Sequence, residues 1–290
     1  MVRRLGRALA APFRLITWPV RAVRDFLNYE PDDTPTMEVF ARTLEHPSVL
    51  VEHLEALRGH LLRSLAVLAI TTGASFAYAG RILDWLAGPI GGASALQSIE
   101  VTESLSAFMR VSLLSGLVLA IPYLCFELFL FLQPGLRPRE RKFLLFAIPS
   151  AGGLWLAGMA FAFWVMLPAA LPFLLNFLGI PTVPRPANYV RFVTSLMFWI
   201  GVAFQFPLVV FALSWFGLVR ARTLARGWRI AIVLIALMAA AVTPTIDPVN
   251  MALVMGPMVV LYFLSIGLAG MAEGMRGRGG KEGQASSLKP

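Results

Sequence analysis

The sequence is poor in charge, since only 14% of its 290 residues are Asp, Glu, Lys or Arg. Soluble domains of this size carry about 25% charged residues. Hydrophobic residues make up 58% of the chain, and the mean hydropathy is +0.72. So much apolar surface needs lipid as its solvent, and the apolar segments follow one another too closely for a separate soluble domain. The composition therefore predicts an integral membrane protein.

Cysteine and histidine are also scarce. The single cysteine, Cys125, lies in an apolar stretch, which excludes a disulfide framework. His46, His53 and His60 share one predicted helix face, but neighbours at this spacing lie about 10 Å apart, too far to share a metal ion. No H-E-x-x-H motif is present, and the histidines precede the first apolar segment. We therefore expect no metal site and no enzyme.

The first 47 residues read as a basic amphipathic tail followed by an acidic linker. Arginines interrupt the early apolar run and no cleavage-like site follows, so we expect no cleaved signal peptide. A helix at this position would lie in the membrane interface with its basic face toward anionic headgroups. A partly disordered basic tail explains the pattern equally well.

Six apolar segments follow a helix that starts near Ser48, a plausible N-cap. They predict an all-α protein with six transmembrane helices in a domain covering residues 48–270. The predicted spans are residues 61–78, 111–132, 143–167, 192–216, 230–242 and 249–269. The fifth covers roughly 20 Å at 1.5 Å per residue, so it must borrow flanking residues or lie in a thinned bilayer.

Positive charge is distributed unequally between the two sides of this bundle. Of the 25 Lys and Arg residues, all but four fall on the side that carries both termini. The four exceptions are Arg81, Arg110, Arg185 and Arg191. The positive-inside rule therefore places both termini in the cytoplasm, with residues 271–290 as a disordered tail. Topology explains the net charge of +9, so no nucleic-acid partner is expected.

Polar residues within or beside the spans are candidate functional groups, because they are costly in lipid. Glu127 lies in the second span, Asp247 lies in the turn before the last span, and Gln205 lies in the fourth span. The first cytoplasmic loop is a further candidate. There an aromatic-apolar helix ends near Phe131, and Glu140 stands among four cations. Taken alone, the pattern favours a solvated basic loop with one balancing carboxylate.

The motifs of this chain resemble those of the TatC family. The loop pattern F-x-x-P-x-L-x-x-x-E-R/K is matched from Phe131 to Arg141, and H-L-x-E-L-R-x-R-L is partly matched from His53 to Leu61. The fourth-span motif F-G-x-x-F-E-x-P corresponds to the stretch ending at Pro207, and the T-P-P-D turn corresponds to residues 243–247. Three positions depart from the family pattern. Ala56 replaces the N-terminal glutamate, Gln205 replaces the fourth-span glutamate, and the turn carries one extra residue.

The resemblance implies a concave, glove-like bundle in a bacterial or archaeal cytoplasmic membrane. It implies a receptor that binds twin-arginine signal peptides of folded cargo, works with TatA- and TatB-like single-span proteins and with other copies of itself, and needs no cofactor. Glu140 would bind a signal arginine, Glu55 or Glu52 would supply a second carboxylate, and Phe131 would add an apolar or cation–π contact.

Two other functions stay open at this point, namely a small proton-coupled secondary transporter and a structural scaffold. The family usually has glutamine on the second span and glutamate on the fourth. The exchange here, Glu127 and Gln205, leads us to expect that the two side chains face one another across the groove.

Overall fold

The computed structural model describes residues 47–132, 138–176, 182–243 and 248–287, and within these ranges the chain is helical with no strand. The predicted all-α architecture is confirmed for this part of the chain. The helices are α1 (Pro47–Phe76), α2 (Ala79–Leu86), α3 (Val101–Leu132), α4 (Pro138–Phe161), α5 (Leu167–Leu175), α6 (Pro186–Ala203), α7 (Phe206–Trp215), α8 (Ala221–Arg226), α9 (Trp228–Val242) and α10 (Pro248–Ser287). A π-helical segment, Ala162–Met166, joins α4 to α5.

Four helical segments are long and apolar enough to cross a membrane. They are Val101–Phe131, Phe146–Leu175, Pro186–Trp215 and Pro248–Met275. A fifth candidate is the pair Leu54–Phe76 and Ala79–Leu86, which is bent by 77°. Helix α9 is apolar but has only 15 residues. The chain is thus a multi-pass membrane protein.

Several of the candidate spans begin earlier along the chain than predicted. Helix α1 is already part of a candidate span from Leu54, and α3 begins at Val101, ten residues before the predicted start. Polar residues at these helix starts lower the hydropathy without interrupting the helix. Helix α9 begins at Trp228, two residues before the predicted start of the fifth apolar segment, and ends at Val242.

Close backbone contacts set the packing of the bundle. Helix α1 packs along α3, and a Cβ added at Gly116 would lie 2.4 Å from the Oγ1 atom of Thr72. Helices α4 and α6 approach in the same way, since a Cβ at Gly158 would lie 3.0 Å from the Cα atom of Gly201. Small residues at such crossings let helices approach in lipid, where dispersion contacts replace the hydrophobic effect.

The end of the chain differs from the disordered tail predicted for residues 271–290, because α10 continues as a helix to Ser287. Glu273 anchors the first part of this extension through a hydrogen bond from the Ala221 amide to its Oε1 atom, 2.8 Å long. The basic tail up to residue 46 lies outside the described residues, as does the turn residue Asp247.

Candidate functional site

Helices α1 and α3 bring four polar side chains together around one buried carboxylate. Glu127 lies five residues before the end of α3 and is 1% exposed. His60 and Arg63 share a face of α1 because they are three residues apart. Tyr123 lies one turn before Glu127 on α3. We call these four residues the Glu127 cluster.

Most contacts in the Glu127 cluster converge on the carboxylate, and Nη2 of Arg63 also lies 3.0 Å from Nδ1 of His60. Nε and Nη2 of Arg63 donate to its two oxygens over 3.0 and 3.3 Å. The Tyr123 hydroxyl donates to Oε1 over 2.6 Å, and Nδ1 of His60 lies 2.6 Å from Oε2. The Arg63 side chain is 37% exposed, so it compensates the buried charge while keeping contact with the surroundings. Glu127 is therefore buried together with a cationic partner, as ionised groups in membrane spans usually are.

This arrangement shows that the expected pairing of Glu127 with Gln205 is wrong. Nε2 of Gln205 instead donates to the carbonyl of Ala151 on α4, over 2.9 Å. Gln205 lies at the break between α6 and α7, whereas the face of α3 that carries Glu127 packs against α1. The two residues therefore serve different helix contacts, and the arginine rather than an amide satisfies the carboxylate.

The residues predicted to bind a signal peptide lie near the Glu127 cluster along the chain. Phe131 is half-buried one turn beyond Glu127, and its ring meets that of His60 edge-on with centroids 6.0 Å apart. Glu55 is exposed on α1, five residues before His60. Glu52 lies on α1 and Glu140 on the first turn of α4, but their side chains are outside the described part of the structure.

An apolar cavity of about 480 Å³ opens between the first two helices, α3, α4 and α6. Trp85 stacks on Phe163 in its wall, with ring centroids 4.1 Å apart. The Tyr189 hydroxyl donates to the Leu86 carbonyl over 2.8 Å and so fastens α2 to α6 beside the cavity. The cavity is therefore framed by elements held in place by side-chain contacts, and its lining suits an apolar segment.

A second charged cluster connects the start of α3 to the start of α6. Arg185 donates to Glu100 over 2.9 Å and also to Glu103, which is buried. The hydrogen bond to Glu103 and, to a smaller extent, the one to Glu100 raise the pKa of the Arg185 guanidinium. Arg185 is one of the four cations assigned to the side opposite the termini, and its role here is to join two segments of the fold.

Sequence reasoning missed His60, Arg63 and Tyr123. From the sequence alone, His60 is considered as a metal ligand and as part of the motif from His53 to Leu61, and it is placed before the first span. Two features of the sequence point to this cluster. Glu127 needs a partner in lipid, and the cation Arg63 lies three residues after His60, on the same face of the helix. Among the described residues, no three His, Cys, Asp or Glu side chains gather in a way that could hold a metal ion.

Comparisons with known proteins agree with the motifs. Residues 52–257 match the family model described as Sec-independent protein translocase protein (TatC). A protein of this name from Deinococcus radiodurans is 33% identical over 229 residues, covering 76% of this chain and 85% of the relative. Its counterpart from Carboxydothermus hydrogenoformans is 32% identical, covering 78% of this chain and 94% of the relative.

The fold agrees as well. A crystal structure of a twin-arginine translocase receptor, TatC, superposes with a TM-score of 0.68 at 29% identity, covering 76% of this chain and 99% of the other. The matched residues contain the Glu127 cluster and the loop motif from Phe131 to Glu140. The chain therefore belongs to the TatC family of Sec-independent protein translocase proteins.

Proposed function

We propose that this protein is the core receptor subunit of the twin-arginine translocation system, which exports folded proteins. Membership of the TatC family over residues 52–257 is the observation that carries the proposal. The structural neighbours are named twin-arginine translocase receptors, and they cover three quarters of this chain. The transporter alternative loses support. A proton pathway would need a carboxylate that can take up and release a proton, and the buried carboxylate of Glu127 is already paired with Arg63.

The proposed topology has six spans with both termini in the cytoplasm, in a bacterial or archaeal cytoplasmic membrane. It counts the bent pair α1–α2 as the first span and the short α9 as the fifth. The charge distribution supports it, since 21 of the 25 Lys and Arg residues fall on the side of the termini. The spans would form a concave bundle that surrounds the apolar cavity.

The proposed signal-peptide site lies at the cytoplasmic ends of α1, α3 and α4. Glu140 on α4 and Glu55 or Glu52 on α1 supply carboxylates, which bind guanidiniums through charge-assisted, planar hydrogen bonds. Phe131 supplies an aromatic face for a cation–π or apolar contact. Glu127 is excluded as a direct ligand because Arg63, His60 and Tyr123 already surround it.

The apolar part of the signal would follow the groove toward the cavity between α3 and α6. The cavity walls are almost entirely apolar, so burying an apolar helix there is favourable at about 25 cal/mol per Å² of apolar surface removed from water. TatA- and TatB-like single-span proteins and further copies of this chain are the proposed partners, and the proton-motive force would drive transport. No nucleic acid and no cofactor enters this account.

An export assay with Glu140→Gln tests the proposal. The substitution keeps the shape of the side chain but removes the charge that binds arginine. Loss of a charge-assisted bond costs roughly 1.5–3 kcal/mol, or about 10- to 150-fold in affinity. We expect export of a folded twin-arginine cargo to fall sharply while the protein stays inserted. Glu282→Gln in the C-terminal part of α10 is the matched control and should export normally. Undiminished export with Glu140→Gln would remove this residue from the site.

A further inference from the structure

The connection between α7 and α9, together with the first turn of α9, carries a dense group of positive charge outside the proposed signal-peptide site. Four arginines occur within ten residues, namely Arg220, Arg222, Arg226 and Arg229, and all are exposed. Within the part of the chain that the structure describes, none of the four lies within ion-pairing distance of a carboxylate. We call these four residues the α8 arginine patch.

Two hydrogen bonds between α8 and α10 hold α8 in place. The Ala221 amide at the start of α8 donates to Oε1 of Glu273 over 2.8 Å, and the hydroxyl of Tyr262 donates to the Leu224 carbonyl over 2.5 Å. The patch is therefore built on a fixed helix rather than on a free loop. Glu273 is directed to the α8 backbone, so it does not neutralise the arginines.

Apolar side chains flank the patch and are exposed as well. Leu218 is 74% exposed, Trp228 is 42% exposed and Ile230 is 69% exposed. The Arg229 guanidinium lies over the Trp228 ring, 5.6 Å from its centroid. Exposed tryptophan and aliphatic residues next to arginine are typical of a protein surface at the boundary between the hydrocarbon core and the headgroups.

The length of α9 places the patch at this boundary. Its 15 residues span about 22 Å, which is less than the roughly 30 Å hydrocarbon thickness. The membrane must thin around α9, or residues at its ends must extend to the headgroups. Arginines at the start of a short helix do so readily, because their long side chains reach polar phosphates while their stems stay in the apolar layer.

We propose that the α8 arginine patch binds the phosphate headgroups of anionic phospholipids. Arginine presents several donors in a planar fork, which matches phosphate oxygens. The exposed apolar flank accepts acyl chains, which distinguishes a lipid from an acidic polypeptide or a nucleic acid. The site is separate from the proposed signal-peptide site, because a patch of four cations repels the signal arginines.

Lipid binding to the full-length protein in detergent tests this assignment. Dioctanoyl phosphatidylglycerol and dioctanoyl phosphatidylcholine are titrated separately, and bound lipids are counted by native mass spectrometry. We expect the anionic lipid to bind more tightly than the zwitterionic one. The triple variant Arg222→Gln, Arg226→Gln, Arg229→Gln should weaken the anionic lipid on the order of 100-fold, since each basic residue near a membrane surface contributes several-fold.

The matched control replaces three other exposed arginines, with the same loss of charge: Arg81→Gln, Arg110→Gln, Arg191→Gln. It should bind the anionic lipid like the unmodified protein. The triple variant with Lys in place of Gln keeps the charge and the positive-inside signal, so it should insert normally and retain more binding than the Gln variant. Equal losses in the Gln variant and the control, or no preference for the anionic lipid, would overturn the proposal. Displacement of the lipid by poly-glutamate at equal charge concentration would instead assign the patch to an acidic polypeptide.

Discussion

Replacing Arg63 by Leu should destabilise this protein more than any change of Glu127 itself. Glu127 is 1% exposed, so without Arg63 a carboxylate would stay buried with His60 and Tyr123 as its remaining partners among the described residues. Arg63→Leu removes both hydrogen bonds that carry the compensating charge. Removing one partner of a buried pair costs roughly 3–5 kcal/mol in soluble proteins, and polar contacts in membranes are weaker, so we expect about 3 kcal/mol.

The other members of the series have smaller expected effects. Glu127→Gln keeps a carbonyl oxygen that still accepts from Arg63, so its cost should be about 1 kcal/mol. In the double variant Arg63→Leu, Glu127→Leu no charge is left buried. It should be more stable than Arg63→Leu alone by at least about 1 kcal/mol, because apolar pairs often replace buried ion pairs without loss.

The assay is equilibrium unfolding of the full chain in mixed micelles with increasing SDS, followed by tryptophan fluorescence. The free energies of Arg63→Leu, of the further single variant Glu127→Leu and of the double variant form a cycle that isolates the coupling. A double variant whose loss equals the sum of the single losses would refute the pairing. So would an Arg63→Leu variant that is as stable as Glu127→Gln.

Three further predictions concern packing and topology. Gly116→Ala should lower the free energy of unfolding by roughly 1–3 kcal/mol in the same assay, since its Cβ would lie 2.4 Å from Thr72. Gly152→Ala should be neutral or slightly stabilising, because a Cβ there meets nothing within 4 Å. Single cysteines at Ala187 and Gln284 should react with an impermeant thiol reagent from opposite sides of the membrane. Reaction of both from the same side would contradict the six-span topology. A spin label at Asp247 should report a depth below the outer headgroups, because the 15 residues of α9 reach only about 22 Å, and a fully aqueous label would contradict this.

The sequence was sufficient to predict the four long apolar helices, because a run of about 20 apolar residues has few alternatives in lipid. It misplaced their ends where helices continue through polar residues, as α3 does from Val101 to the predicted start at residue 111. It also missed α8 as a helix. Six residues give little periodicity, and this helix is held by tertiary contacts, since Glu273 accepts a hydrogen bond from its first amide and Tyr262 donates to its Leu224 carbonyl.

The polar site was harder to predict than the spans. The cost of an unpaired carboxylate in lipid correctly singled out Glu127 as a residue that needs a partner. Which partner it has depends on the helix that packs on that face of α3, and periodicity within one helix does not give this. The exchange of residue types suggested Gln205, but the contact between α1 and α3 supplies Arg63 and His60 instead.

Site-specific photocrosslinking of a twin-arginine signal peptide tests the receptor account most directly. A photoreactive phenylalanine analogue replaces Phe131 in membranes, and the same analogue replaces Phe263, an exposed phenylalanine on α10, as the matched control. The account predicts a crosslink from position 131 that disappears when the two signal arginines are lysines and when Glu140 is Gln. A crosslink that is equally strong at both positions, or that is unchanged with the twin-lysine peptide, would contradict it.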